Sequence, residues 1–233
     1  IAGGITYMGD WSRESLLLPF DCPPRARLLI TDGSYGDRNQ RLAQQIDALA
    51  LAAQGGAVVT APLHGRGPEM ALQLSARGLP VVMCPQVREE VAQLLALNSL
   101  PAAAMLALAR LLRVATPDHW RPDTVIVAAD AVADSGLAAQ LSHQPDFRLI
   151  FSSHVSSGTR AFEMLQSGMA RWLPWNVHPP LDDQLALIRQ TAAQKVIPAF
   201  VAPQECQQLM SQSPAMLCWQ HRYSLSSRWE RVA

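Results

Sequence analysis

Lysine is almost absent from this chain of 233 residues: Lys195 stands alone among nineteen basic residues, and the rest are arginine. Charge of either sign is scarce, at 16% of residues against roughly 25% in ordinary soluble domains. Nineteen basic and nineteen acidic residues cancel, which excludes the broad basic field of a protein that coats nucleic acid without selectivity. A local phosphate site stays open, because the arginine fork suits phosphate and carboxylate. The four cysteines, Cys22, Cys84, Cys206 and Cys218, lie far apart with no C-x-x-C pair, so a zinc ribbon and a small disulfide scaffold are excluded. Inert, partly buried thiols in a reducing cytoplasm are expected. Long apolar runs are missing too. The most apolar stretch, Leu100 to Ala109, ends at Arg110 and Arg113, short of the ~20 residues that span a bilayer, so no membrane helix is expected. The chain opens on Ile1 with no basic segment before an apolar core, and it reads as beginning within a longer protein.

Several chemistries fail on spacing. The only lysine, in Ala193-Gln194-Lys195, cannot serve a phosphate-binding P-loop. No G-x-G-x-x-G follows a strand and no G-x-S-x-G is present, which removes support for a dinucleotide fold and for an α/β-hydrolase nucleophile. Neither H-E-x-x-H nor H-x-H-x-D-H occurs, and His64, His119, His143, His154, His178 and His221 are each isolated. Any metal site must therefore draw on distant loops or on residues outside this chain.

What is present is a globular pattern, 49% hydrophobic, rich enough to exclude disorder and to leave an apolar face in need of a partner. Short branched runs alternate with helical stretches, the signature of an α/β fold with a mainly parallel sheet. Strands are expected at Ile5 to Met8, Arg27 to Thr31, Ala57 to Ala61, Pro80 to Cys84, Thr124 to Ala128, Phe147 to Ser152, Lys195 to Phe200 and Ala215 to Trp219. The clearest helix follows Asp37, which can cap it, with Leu42, Ile46, Leu49 and Ala53 on one face and Gly55-Gly56 as its stop. Other helices are expected after Pro68 and over Val87 to Leu97, Ala102 to Val114, Gly136 to Leu141, Thr159 to Gln166, Asp182 to Ala193 and Gln204 to Ser211.

Polar residues gather where strands end. Asp10 follows Ile5-Thr6-Tyr7-Met8-Gly9, and Asp32 closes Leu28-Leu29-Ile30-Thr31. A carboxylate leaving a buried strand beside glycine can hold a cation or orient a base, though taken alone it more often serves a turn or a cap. Tyr7-Met8-Gly9-Asp10-Trp11 and Asp32-Gly33-Ser34-Tyr35-Gly36-Asp37-Arg38 resemble segments of the β-CASP nucleases in the metallo-β-lactamase superfamily. The resemblance continues through Pro62-Leu63-His64-Gly65-Arg66-Gly67-Pro68-Glu69, Ser156-Ser157-Gly158-Thr159-Arg160 and Asn176-Val177-His178-Pro179-Pro180-Leu181-Asp182, and so covers nearly the whole chain.

The resemblance implies a parallel-sheet β-CASP insertion over residues 38–170 with helices on both faces, flanked by part of a metallo-β-lactamase αββα sandwich at 1–37 and 171–233. It implies zinc-dependent hydrolysis of phosphodiester bonds in a single-stranded nucleic acid, RNA or DNA. Asp10 would bridge the metals. His178, oriented by Asp32 within ~3 Å, would protonate the leaving oxygen, and Arg38, Arg66, Ser157, Gly158 and Thr159 would meet phosphates. Two departures stand out. The H-x-H-x-D-H half of the fold is not in this chain, so the chain alone is expected to be inactive, to self-associate and to need an N-terminal half-domain as partner. Phe200 in Val196-Ile197-Pro198-Ala199-Phe200 stands where the family has its last metal-binding histidine, and it is expected to fill that space. The rival readings are a catalytically silent scaffold subunit and a small-molecule-binding α/β module.

Overall fold

A computed structural model describes residues 4–62 and 64–219; Leu63 and His221 lie outside the described residues. In chain order, β1 (Ile5–Tyr7) and β2 (Leu28–Asp32) precede α1 (Leu42–Ala52), β3 (Ala57–Ala61), α2 (Arg66–Ala76) and β4 (Val81–Met83). Next come α3 (Pro85–Leu97), α4 (Ala102–Leu112), β5 (Val125–Ala129), α5 (Gly136–Ser142), β6 (Leu149–Phe151), α6 (Arg160–Gln166) and β7 (Ala170–Trp172). The chain closes through α7 (Leu181–Thr191), β8 (Lys195–Ala199), α8 (Gln207–Gln212) and β9 (Met216–Leu217). The fold is α/β, and among the described residues every strand pairing is parallel.

The chain divides into two compact units. The first holds residues 1–15, 19–41 and 176–233, and the second holds 16–18 and 42–175.

In the first unit the strand order is β1-β2-β8-β9. Leu29 and Val196 turn to one face, where Leu181, Leu185 and Ile188 of α7 and Leu209 of α8 close over them. The spacing of the α7 residues places them on one helical stripe, and each fully buried aliphatic side chain contributes about 1.5–3 kcal/mol. Pro198 lies beyond the two residues that β9 pairs with, where β8 has an open edge and the missing N–H costs no ladder bond. Residues in register share a face. On the face that carries Ile5, Tyr7 and Met216 these three side chains are 45%, 66% and 57% exposed, while Leu28 between them is buried.

In the second unit the order is β4-β5-β3-β6-β7. β3 and β5 are buried at all five positions, as in a parallel sheet covered on both faces. From β3 the chain crosses through α2 to β4 at one edge, and from β6 it leaves through α6 to β7 at the other. The ends of β3 and β6 therefore form the switch point where an α/β sheet offers a crevice. The edge strand β7 has no counterpart among the expected strands: its Ala-Arg-Trp is short and exposed at two of three positions, so it carries no apolar run.

Asp37 corrects one expectation. It does not cap the helix that follows it, since α1 begins only at Leu42. Its carboxylate instead accepts the backbone N–H groups of Gln208 and Leu209 at 2.8 and 2.9 Å, capping α8.

Candidate functional site

In the first unit β2 delivers Asp32 to its C-terminal end, where the side chain is fully buried. Gly33 continues the sheet by donating its N–H to the Ala199 carbonyl at 3.0 Å. The chain then turns, and Ser34 donates to Asp32 Oδ1 from its backbone N–H at 2.9 Å and from its hydroxyl at 2.6 Å. Asp32 Oδ2 lies 2.6 Å from Nδ1 of His178. Asp10 joins the same rim, its Oδ1 3.9 Å from that nitrogen and its side chain 72% exposed. The three residues singled out in the sequence as catalytic or metal-binding thus meet at one end of one sheet.

Environment moves both members of the pair. Burial resists ionisation of Asp32, but the hydrogen bonds from His178 and Ser34 outweigh it and hold the carboxyl below its ordinary range. The bond to Asp32 raises His178 above the usual histidine value. Burial opposes that rise, the charges of Asp32 and Asp10 reinforce it, and the positive charge of Arg38 works against it. The imidazole is therefore biased toward carrying a proton, with Nδ1 committed to Asp32 and Nε2 left for a reacting group.

The flanking residues extend this arrangement. The Tyr35 ring stands perpendicular to the imidazole, centroids 5.0 Å apart, and its hydroxyl accepts the Val177 N–H at 3.1 Å. Arg38 lies over the Tyr35 ring, 3.4 Å from its centroid, and donates to Asn176 Oδ1 at 2.6 Å. Arg38, expected to meet phosphate, is thus already engaged by an aromatic face and an amide. Tyr35 and Asn176 were not singled out as functional in the sequence. The Tyr-Gly-Asp-Arg run was the available signal for the first. Asn176, which is 2% exposed, opened the segment quoted around His178, and that was its only signal. Gly36, at φ 53°, lets this loop press against the backbone of Glu205, where a Cβ would overlap the Glu205 carbonyl oxygen.

The donor set does not fit a two-zinc centre. Ligand atoms of Asp10, Asp32 and His178 lie within 4.8 Å of one another, but both Asp32 oxygens and His178 Nδ1 are engaged with each other and with Ser34. A tetrahedral zinc takes four donors, and this rim supplies at most three. Phe200 adds none. It also does not fill the space of a lost ligand: just past β8 its backbone turns at φ 65° and the ring stands 70% exposed.

The remaining candidates belong to the second unit. Arg66 opens α2 just after β3, and its Nη1 reaches the Ser152 carbonyl and hydroxyl at 3.3 Å and the Ser153 hydroxyl at 3.1 Å, beyond the end of β6. Thr159 caps α6, accepting the Phe162 N–H at 3.2 Å while its hydroxyl donates to the Ser156 carbonyl at 2.8 Å. Ser157 is exposed beside it, and Gly158 takes φ 80° in the turn.

Among the described residues no helix is long and apolar enough to cross a membrane. No family model matches the chain, and no curated protein matches it. Among solved structures, a protein of unknown function from Enterococcus faecalis V583 aligns with a TM-score of 0.48 and 15% identity. The alignment covers 94% of this chain and 57% of that one, so the chain spans little more than half the length of that structure.

Proposed function

We propose that this chain is a portion of a β-CASP-type nuclease that hydrolyses phosphodiester bonds in single-stranded RNA or DNA, and that His178 is its proton donor. The observation that supports the reading is the 2.6 Å contact between His178 Nδ1 and buried Asp32. A carboxylate there fixes the ring and raises its basicity, leaving Nε2–H to pass its proton to the leaving oxygen as the phosphorus–oxygen bond breaks. Asp10 at the same rim is the residue on which a metal would draw. Further ligands would come from an N-terminal half-domain, and no step here runs through the metal. Arg66 and the Ser157-Gly158-Thr159 turn are the proposed phosphate contacts of the second unit.

A second reading, a catalytically silent scaffold subunit, is favoured by Phe200, which brings no donor where the resemblance places a histidine. A nuclease assay on the full-length protein, with and without chelator, separates the two. Chelator-sensitive cleavage of a single-stranded oligonucleotide that His178→Ala abolishes supports the enzyme, and no cleavage under either condition supports the scaffold.

A further inference from the structure

The end of β2 with the loop that follows it, and the segment before α7, are joined by three contacts in strict order. Arg38 bonds Asn176, Tyr35 bonds Val177 and Asp32 bonds His178. Three consecutive residues on one side are thus gripped by residues three apart on the other. We propose that Tyr35, the middle rung, is the positioning residue that keeps the His178 imidazole aligned on Asp32.

One hydrogen bond to Nδ1 leaves the imidazole free to tilt about that bond, and residues 173–180 contribute no helix or strand that would hold it. Tyr35 supplies the missing constraints from two parts of one side chain. Its ring meets the imidazole at 84° and 5.0 Å, within the favoured edge-on range for aromatic pairs. Its hydroxyl holds the backbone N–H of Val177, immediately before His178. The guanidinium of Arg38, stacked 3.4 Å from the ring centroid and tied to Asn176, keeps the tyrosine from swinging away. Because Tyr35 sits three residues after Asp32, the end of β2 and the short loop after it carry both the proton acceptor and the clamp. The charged and titratable groups around the ring are Asp32, Asp10 and Arg38; Tyr35 acts on orientation, not on charge. The consequence for proton transfer rests on the proposed function, whereas the positioning itself does not.

The test uses this chain with its histidines labelled with nitrogen-15, at one fixed pH and without substrate. Wild type is expected to show a low-field Nδ1 proton for His178 and one dominant ring-nitrogen pattern. Tyr35→Phe keeps that pattern, because the ring remains, but the Val177 amide exchanges about tenfold faster. Tyr35→Leu loses both signatures while the circular dichroism of the chain is unchanged. A Tyr35→Leu chain with wild-type ring-nitrogen shifts overturns the proposal. Should that variant fail to fold, Tyr35→Phe decides it, since an unchanged Val177 exchange rate also overturns it. None of these readouts needs cleavage, so a full-length protein without nuclease activity would sink the proposed function and leave this inference standing.

Discussion

The carboxylate of Asp37 caps a helix that begins 170 residues further along the chain, holding the N–H groups of Gln208 and Leu209. Two otherwise unpaired donors of α8 are satisfied by a residue on the Asp32 loop. Asp37→Ala is expected to cost about 1 kcal/mol of stability, and Asp37→Asn to recover most of it. Chemical denaturation measures both; an unchanged midpoint for the alanine variant would remove the cap from the account.

Stability should depend on pH through the Asp32–His178 pair, in a direction that each shift fixes. Asp32 titrates below its ordinary 3.8, so its contribution is present above the unfolded carboxyl range and is lost as pH falls through the lowered folded value. His178 titrates above its ordinary 6.5, so its contribution is complete below the unfolded histidine range and is lost as pH rises through the raised folded value. The pair therefore stabilises most between about pH 4 and 6.5. Thermal melts of His178→Ala across pH should lose the fall on the alkaline side of that window. A variant profile parallel to wild type would assign the fall to other groups.

Phe200 combines a left-handed backbone with a ring that buries little. Phe200→Gly removes the clash of Cβ with its own carbonyl, worth roughly 1–2 kcal/mol, and loosens the unfolded chain by about 0.4–1 kcal/mol. A small net gain in melting temperature is the expected outcome, and a fall of several degrees would show that the ring makes contacts the exposure does not reveal.

Zinc should bind this chain only weakly, because Asp10, Asp32 and His178 offer at most three of the four donors a tetrahedral site takes, and Asp32 is already engaged by His178 and Ser34. Equilibrium dialysis followed by metal analysis measures it. One tightly held, chelator-sensitive equivalent would contradict the donor count.

The exposed Ile5, Tyr7 and Met216 on one face of the four-stranded sheet should drive self-association, since an all-parallel sheet is normally covered on both sides. Sedimentation velocity is expected to find species heavier than a monomer, and the double variant Ile5→Asp, Tyr7→Asp to shift them toward monomer. A wild-type chain that sediments only as monomer at high concentration counts against this.

How much of this was legible in the sequence follows from the range of the interactions. β3 and β5 announce themselves as unbroken apolar runs, and α1 by its stripe of Leu42, Ile46 and Leu49, because burial is written into consecutive or periodic residues. The meeting of Asp32 with His178 was expected only through a resemblance; no periodicity joins residues 146 apart. The cap on α8 escaped for the same reason, since an aspartate before a helix looks like that helix's own cap. Asn176 and Tyr35 acquire their meaning only once two loops are laid side by side. Phe200 misled because an apolar side chain suggests filling a gap, whereas its backbone angle decides where it goes.

Gly36 gives the tail of the first unit an importance that its position near the end of the described residues conceals. With no side chain at that point, the Asp32 loop lies flush against Glu205, and the Asp37 N–H and the Gly36 carbonyl are held by the Glu205 carbonyl and the Gln184 side chain. Segment 203–212 is therefore a keystone rather than an appendage. A chain trimmed before Glu205 would take from the Asp32 loop both the carbonyl that holds the Asp37 N–H and the helix end that the Asp37 carboxylate holds, and a side chain at Gly36 would press the same loop away from Glu205.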